Sequence, residues 1–68
     1  MTSYVVHMPY HGPEEFKSLH GAIEWCLQRS PLYKDNLTAE IQEVREVTRR
    51  YTQVRTIALI PIGGVEIM

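Results

Sequence analysis

The chain has 68 residues, with seven Lys and Arg against eight Asp and Glu and a single cysteine. A chain this short is expected to form one domain over residues 1–68, which leaves little room for an enclosed active site. Its net charge of −1 argues against attachment to nucleic acid or to a membrane surface through bulk electrostatics. A lone cysteine cannot form an internal disulfide, so we expect a reducing, cytoplasmic setting.

The first half of the sequence predicts a strand followed by a helix. Residues 3–8 are rich in β-branched and aromatic side chains, which favours a strand. Pro13 suits the first position of a helix, where no amide hydrogen is needed, and Pro31 excludes the helical conformation from the residue before it. These two prolines predict a helix over about residues 14–29.

One side of this predicted helix should face the core, because helical spacing places several of its residues on the same side. The residues on that side are Phe16, Leu19, His20, Ile23, Cys26 and Leu27.

Residues 37–54 allow two interpretations. Their apolar side chains recur at helical spacing and Thr38 suits a helix cap, which favours a second helix over about residues 39–53. Their many β-branched and aromatic residues favour strands instead, which would give the order β-α-β-β. A hairpin through Arg49-Arg50-Tyr51-Thr52 would have no glycine, asparagine or proline at its turn, so the helix is preferred.

The C-terminal segment predicts a hairpin. Residues 56–62 form an apolar run, and Gly63-Gly64 is typical of a two-residue turn into residues 65–68. The expected architecture is therefore α+β, with a small three-stranded antiparallel sheet over about residues 3–8, 56–62 and 65–68. This sheet would pack against the helices predicted above. The longest apolar run is far shorter than the roughly 20 residues of a membrane helix, so we expect no membrane contact.

The histidines and the cysteine, residue types that catalyse reactions or bind metals in other proteins, do not have the spacing of such a site in this sequence. A proline separates His7 from His11, so the pair does not share a helix face as zinc ligands often do. Cys26 falls on the core side of the helix, where a free cysteine is usually an inert apolar residue. We therefore expect a non-enzymatic protein with no catalytic residue, metal ligand or cofactor.

Two groups of residues are candidate partner-binding surfaces. Trp25 and Arg29 lie on the side of the predicted helix away from the core-facing residues, as in a protein-docking patch. The alternative for Trp25 is burial beneath the second helix. The other group is basic, since four arginines and one glutamate give residues 45–55 a local charge of +3. Its arginines are Arg45, Arg49, Arg50 and Arg55.

Small size, balanced charge and the lack of a catalytic motif favour a protein-binding module. We interpret it as the type of inhibitor with which phages and mobile elements cover a host protein, for example a defence or nucleic-acid-processing complex. One alternative is an accessory protein that contacts nucleic acid through the arginines of residues 45–55, and another is a structural homodimer. The expected partner is thus a host or cellular protein or a second copy, with nucleic acid less favoured.

Overall fold

The computed structural model describes residues 1–64 of the chain. In chain order its elements are β1 (Thr2–His7), β2 (Glu14–Phe16), α1 (Leu19–Arg29), a short 3-10 helix (Ser30–Leu32), β3 (Leu37–Thr48) and β4 (Tyr51–Ile62). The strands form one antiparallel sheet in the order β2-β1-β3-β4. The α+β class and the first strand are confirmed, whereas the sheet has four strands rather than three.

The segment before the helix is a strand, which corrects the prediction of a helix over about residues 14–29. Glu14–Phe16 pairs antiparallel with β1, with Tyr4 opposite Phe16. This pairing packs the Phe16 ring against the core. Burial of an aromatic ring and the ladder hydrogen bonds outweigh the weak local preference of Pro13 for a helix start.

The helix α1 begins later because Ser18 caps it. The Ser18 hydroxyl accepts a hydrogen bond from the Gly21 amide at 3.0 Å, which satisfies one of the free donors of the first turn. The α-helix ends at Arg29, as predicted, but Pro31 does not exclude helical angles from Ser30, which has φ −51° and ψ −45°, and the 3-10 helix continues the chain to Leu32.

The preferred second helix over residues 39–53 is wrong, and the strand alternative is correct. The segment forms most of a hairpin, in which β3 and β4 have 12 residues each and are joined at Arg49 and Arg50. Neither arginine has a positive φ, so this turn does not need glycine or asparagine. A bulge at Val47 and a 3.3 Å hydrogen bond from the Arg50 amide to the Thr48 hydroxyl shape it instead.

The prediction for the C-terminal segment is confirmed only in part. The predicted strand at residues 56–62 is the second half of β4. Gly63 and Gly64 follow it with φ of 72° and 64°, values that favour glycine. The predicted strand at residues 65–68, and with it the predicted hairpin, lies outside the described residues.

The core lies between α1 and one face of the sheet. Its buried residues are Val6, Met8, Ala22, Cys26, Ala39, Ile41 and Ile62. The buried residues of α1 are thus the small Ala22 and Cys26, which let the helix lie close to the sheet. The predicted core-facing side was therefore partly wrong, since His20 is exposed and Leu27 is 57% exposed.

The hairpin extends beyond this core. The molecule measures 52 × 17 × 17 Å, so it is about three times as long as it is wide. Every residue from 45 to 56 is exposed, on both strands and in the turn. We call residues 45–56 the arm.

Candidate partner-binding site

The arm carries three apolar side chains that are about half-exposed. Val47 is 53% exposed, Tyr51 57% and Val54 51%. The helical interpretation assigned these three residues to a buried face, which is why sequence analysis missed them as surface residues. Their β-branched and aromatic character was the signal that could have identified them as members of exposed strands. Apolar groups held in water on a projecting element favour burial against a partner.

The arm also gathers the four predicted arginines, all of them exposed. Arg55 is fixed across the hairpin, since its Nη2 and Nε atoms both lie 3.2 Å from Glu43 Oε1. For Arg45, Arg49 and Arg50, no carboxylate among the described residues lies within ion-pair distance. The arm therefore presents positive charge and apolar surface together.

Trp25 does not form the exposed patch that one interpretation predicted. It is half-buried and packs against the core, with its ring centroid 5.6 Å from that of Phe16 and 5.3 Å from that of His11. The Arg29 guanidinium lies 4.5 Å from the Trp25 ring centroid, within the range of a cation–π contact. The tryptophan is covered by β2 and the loop before it rather than by a second helix.

The two predicted groups do not form one surface. Trp25 contacts Phe16 of β2, at the edge of the sheet opposite β4. The arginines of the arm lie at the far end of the hairpin, beyond the core. Any partner contact through Trp25 and Arg29 would thus be separate from a contact through the arm.

The histidines and the cysteine are dispersed. His7 Nε2 lies 2.7 Å from Gln42 Oε1, His11 Nδ1 lies 2.7 Å from the Gly12 carbonyl, and His20 Nε2 lies 3.5 Å from a Glu24 carboxylate oxygen. Within residues 1–64, no three His, Cys, Asp or Glu side chains come together as metal ligands would.

Cys26 is fully buried in the core. Burial raises the pKa of its thiol above the usual value, because desolvation penalises the thiolate more than a backbone hydrogen bond favours it. A protonated, enclosed thiol is a poor nucleophile.

Across the described segment, no helix has the length and apolar character needed to cross a membrane. Comparison of the chain with protein-family models, with curated proteins and with solved structures finds no match.

Proposed function

We propose that this chain is a non-enzymatic protein-binding module that docks its arm onto an acidic surface of a partner protein. The observation that carries the proposal is the uniform exposure of residues 45–56, with Val47, Tyr51 and Val54 half-exposed among arginines. Tyrosine and arginine are the residue types that contribute most to protein interfaces, and apolar neighbours exclude water around them.

The apolar side chains favour a protein over a nucleic acid as the partner. A phosphate backbone would satisfy Arg49 and Arg50, but it offers no apolar surface on which Val47 and Val54 could be buried. The arm also contains Glu46, and the chain as a whole is slightly negative. A protein surface with carboxylates around an apolar centre complements the arginines and the valines.

The mode of action that we propose is occlusion. The arm is two strands wide and projects from the rest of the molecule, which we call the base. Such a ribbon can enter a groove and block it without catalysing a reaction. This is the mode of action expected of the small inhibitors encoded by phages and mobile elements, and a host defence or nucleic-acid-processing complex is the proposed type of target.

Affinity capture from the source cells tests the proposal. We expect the wild-type chain to retain one protein complex, and the Val47→Ser/Tyr51→Ser double variant to lose it because the apolar contacts are removed. Leu32→Ser is the matched control, since Leu32 is 72% exposed but lies on the 3-10 helix. Far-UV circular dichroism checks that all variants are folded. Equal capture by the wild type and the double variant would contradict the proposal.

A nucleic-acid contact is the second candidate function, favoured by Arg45, Arg49 and Arg50, for which no carboxylate within residues 1–64 lies at ion-pair distance. It predicts binding to single-stranded DNA or RNA that weakens steeply with salt and is lost in Arg49→Ala/Arg50→Ala. Fluorescence anisotropy at two salt concentrations measures this. Capture of the partner after nuclease treatment separates the two functions, because only a protein contact survives it.

The surface of Trp25 and Arg29 is a second proposed contact, on the opposite edge of the sheet. Because Trp25 also packs on the core, Trp25→Ala would confuse binding with stability. Arg29→Ala removes the half-buried guanidinium that lies over the ring while it leaves Trp25 itself in place, so its effect on capture tests this contact directly.

A further inference from the structure

The two faces of the arm carry different side chains. Side chains alternate between the faces of a sheet along each strand, and residues directly opposite each other share a face. Ile41 belongs to the core beneath α1, so Glu43 and Arg45, two and four residues later on β3, lie on the same side. We call this side the α1 face. Val44 and Val54 pair with each other on the opposite side, which we call the outer face.

Two side-chain contacts confirm this assignment of faces. Arg55 lies opposite Glu43 in the hairpin, and its Nη2 atom is 3.2 Å from Glu43 Oε1, so both side chains lie on the α1 face. The next residue of β4, Thr56, donates a 2.6 Å hydrogen bond from its hydroxyl to Glu40 Oε2. Glu40 immediately precedes Ile41, so this contact lies on the outer face. The faces are thus known on both strands of the hairpin.

Unmatched positive charge lies on the α1 face of the arm. Arg55 is balanced there by Glu43, whereas no carboxylate in the described part of the chain lies at ion-pair distance from Arg45. Tyr51 lies on the same face, four residues before Arg55 on β4, and its side chain is 57% exposed. The α1 face therefore offers a positive charge and an aromatic ring to a partner.

The outer face of the arm is mostly uncharged. Within residues 44–56, the residues that the pairing places on this face are Val44, Glu46, Thr52, Val54 and Thr56. Only one of the five is charged. Val54 is 51% exposed here, so the described structure leaves it largely in water. Burial of Val54 requires apolar surface, whereas the arginine on the other face requires carboxylates.

We propose that the arm enters a groove of a partner protein that has two unlike walls. A wall with carboxylates faces the α1 face, and an apolar wall faces the outer face. A flat acidic surface could neutralise Arg45 but would leave Val54 in water, and a flat apolar surface would do the reverse. A partner that encloses the ribbon complements the charge on one face and buries the valine on the other. The inference rests on the proposed function and specifies the shape and chemistry of the partner's site.

Charge substitutions at two adjacent residues test the two walls. Gln53 lies on the α1 face, opposite Arg45, and Val54 lies on the outer face; both are exposed. At position 53 the sign of the charge should matter. Gln53→Lys should bind more tightly than the wild type, and Gln53→Glu should bind at least about tenfold more weakly because it faces carboxylates. At position 54 both signs should weaken binding at least about tenfold, because Val54→Lys and Val54→Glu each bury a charge against apolar groups.

Competition measures these affinities. The immobilised wild-type chain captures its partner from nuclease-treated lysate of the source cells, and each free variant is titrated until half of the captured protein is released. Leu32→Lys and Leu32→Glu are the matched controls for overall charge and should compete as the wild type does, since Leu32 is exposed on the 3-10 helix. Far-UV circular dichroism checks the fold of every variant.

Photo-cross-linking gives a second measurement that does not depend on introduced charge. A diazirine side chain at position 53 should link to a partner segment that contains Asp or Glu. The same group in place of Thr52, on the outer face, should link to an apolar segment of the same protein.

The outcomes separate the groove from other contacts. Tighter binding of lysine variants at both positions would indicate acidic groups on both sides, as in a nucleic acid, and would overturn the proposal. Unchanged binding of both variants at one position, or cross-links from only one face, would show a flat surface and would also overturn it. Capture of no protein by the wild type would contradict the proposed function itself, so the two failures are distinguishable.

Discussion

A single glycine lets the end of β4 lie close to the segment that follows α1. Gly63 has a positive φ, and its amide donates a 2.9 Å hydrogen bond to the Ser30 hydroxyl. A Cβ at this position would meet the Asp35 carbonyl and would lie 2.9 Å from the Tyr33 Cβ. The end of β4 is therefore held close to the segment after α1, and only glycine fits between them.

Gly63→Ala should therefore lower the free energy of unfolding by more than about 1 kcal/mol, because both the backbone conformation and the space disfavour a side chain. Gly12→Ala is the matched control, since its Cβ would meet nothing within 4 Å and its φ is not positive. Urea unfolding of both variants measures the difference. Equal stability of the two variants would show that the loop relaxes freely around residue 63.

Cys26 makes stability depend on pH in the alkaline range. Burial raises the pKa of the folded thiol, so above the ordinary thiol value of 9.0 the unfolded chain loses this proton while the folded chain keeps it. The contribution is fully present below that pH and is lost as the pH rises through the folded pKa. Melting temperatures of the wild type should fall more steeply above pH 9 than those of Cys26→Ala. Parallel curves would mean that the thiol is accessible in the folded state.

The hairpin is the element for which sequence reasoning was least successful. The first strand, the end of α1 and the strand at residues 56–62 were predictable, because prolines and short apolar runs delimit them. Residues 39–53 were not, since their apolar residues fit a helix arc as well as two strands with a bulge at Val47. The bulge shifts the alternation of side chains by one residue and so conceals the strand pattern.

The basic residues of the candidate site could be predicted from the sequence, whereas the exposed hairpin that carries them could not. The four arginines of the arm were identified from their clustering in sequence. The exposure of Tyr51 and its apolar neighbours depends on the hairpin extending beyond α1, which no local pattern encodes. The sequence does not decide between exposure and burial of Trp25, because the Phe16 ring that packs against it lies on the strand Glu14–Phe16, a segment that the sequence predicts to be helical.

The two halves of β3 should contribute very differently to stability. Ile41 is fully buried against the core, whereas Val47 lies in the arm. Ile41→Val should cost about 1 kcal/mol of unfolding free energy through a single lost methylene. Val47→Ala removes more atoms yet should change stability by less than about 0.5 kcal/mol. Denaturant unfolding measures both, and a larger loss in Val47→Ala would show that the arm is packed against something.

At the scale of the whole molecule, charge is separated along the long axis. The arm has a charge of +3, whereas the rest of the chain has three basic and seven acidic side chains, a charge of −4. The near-neutral total is therefore the sum of a basic arm and an acidic base. A molecule with this polarity is oriented as it approaches a charged partner, and the arm leads toward an acidic surface.

Site-specific photo-cross-linking in the source cells tests most directly whether the arm is the docking element. A benzophenone side chain in place of Tyr51 should link to a partner protein with an acidic surface, whereas the same group in place of Leu32 should not. Both positions are exposed, so the comparison reports location rather than accessibility. Cross-links to the same protein from position 32 and not from position 51 would contradict the account, because the partner would then bind the base of the molecule.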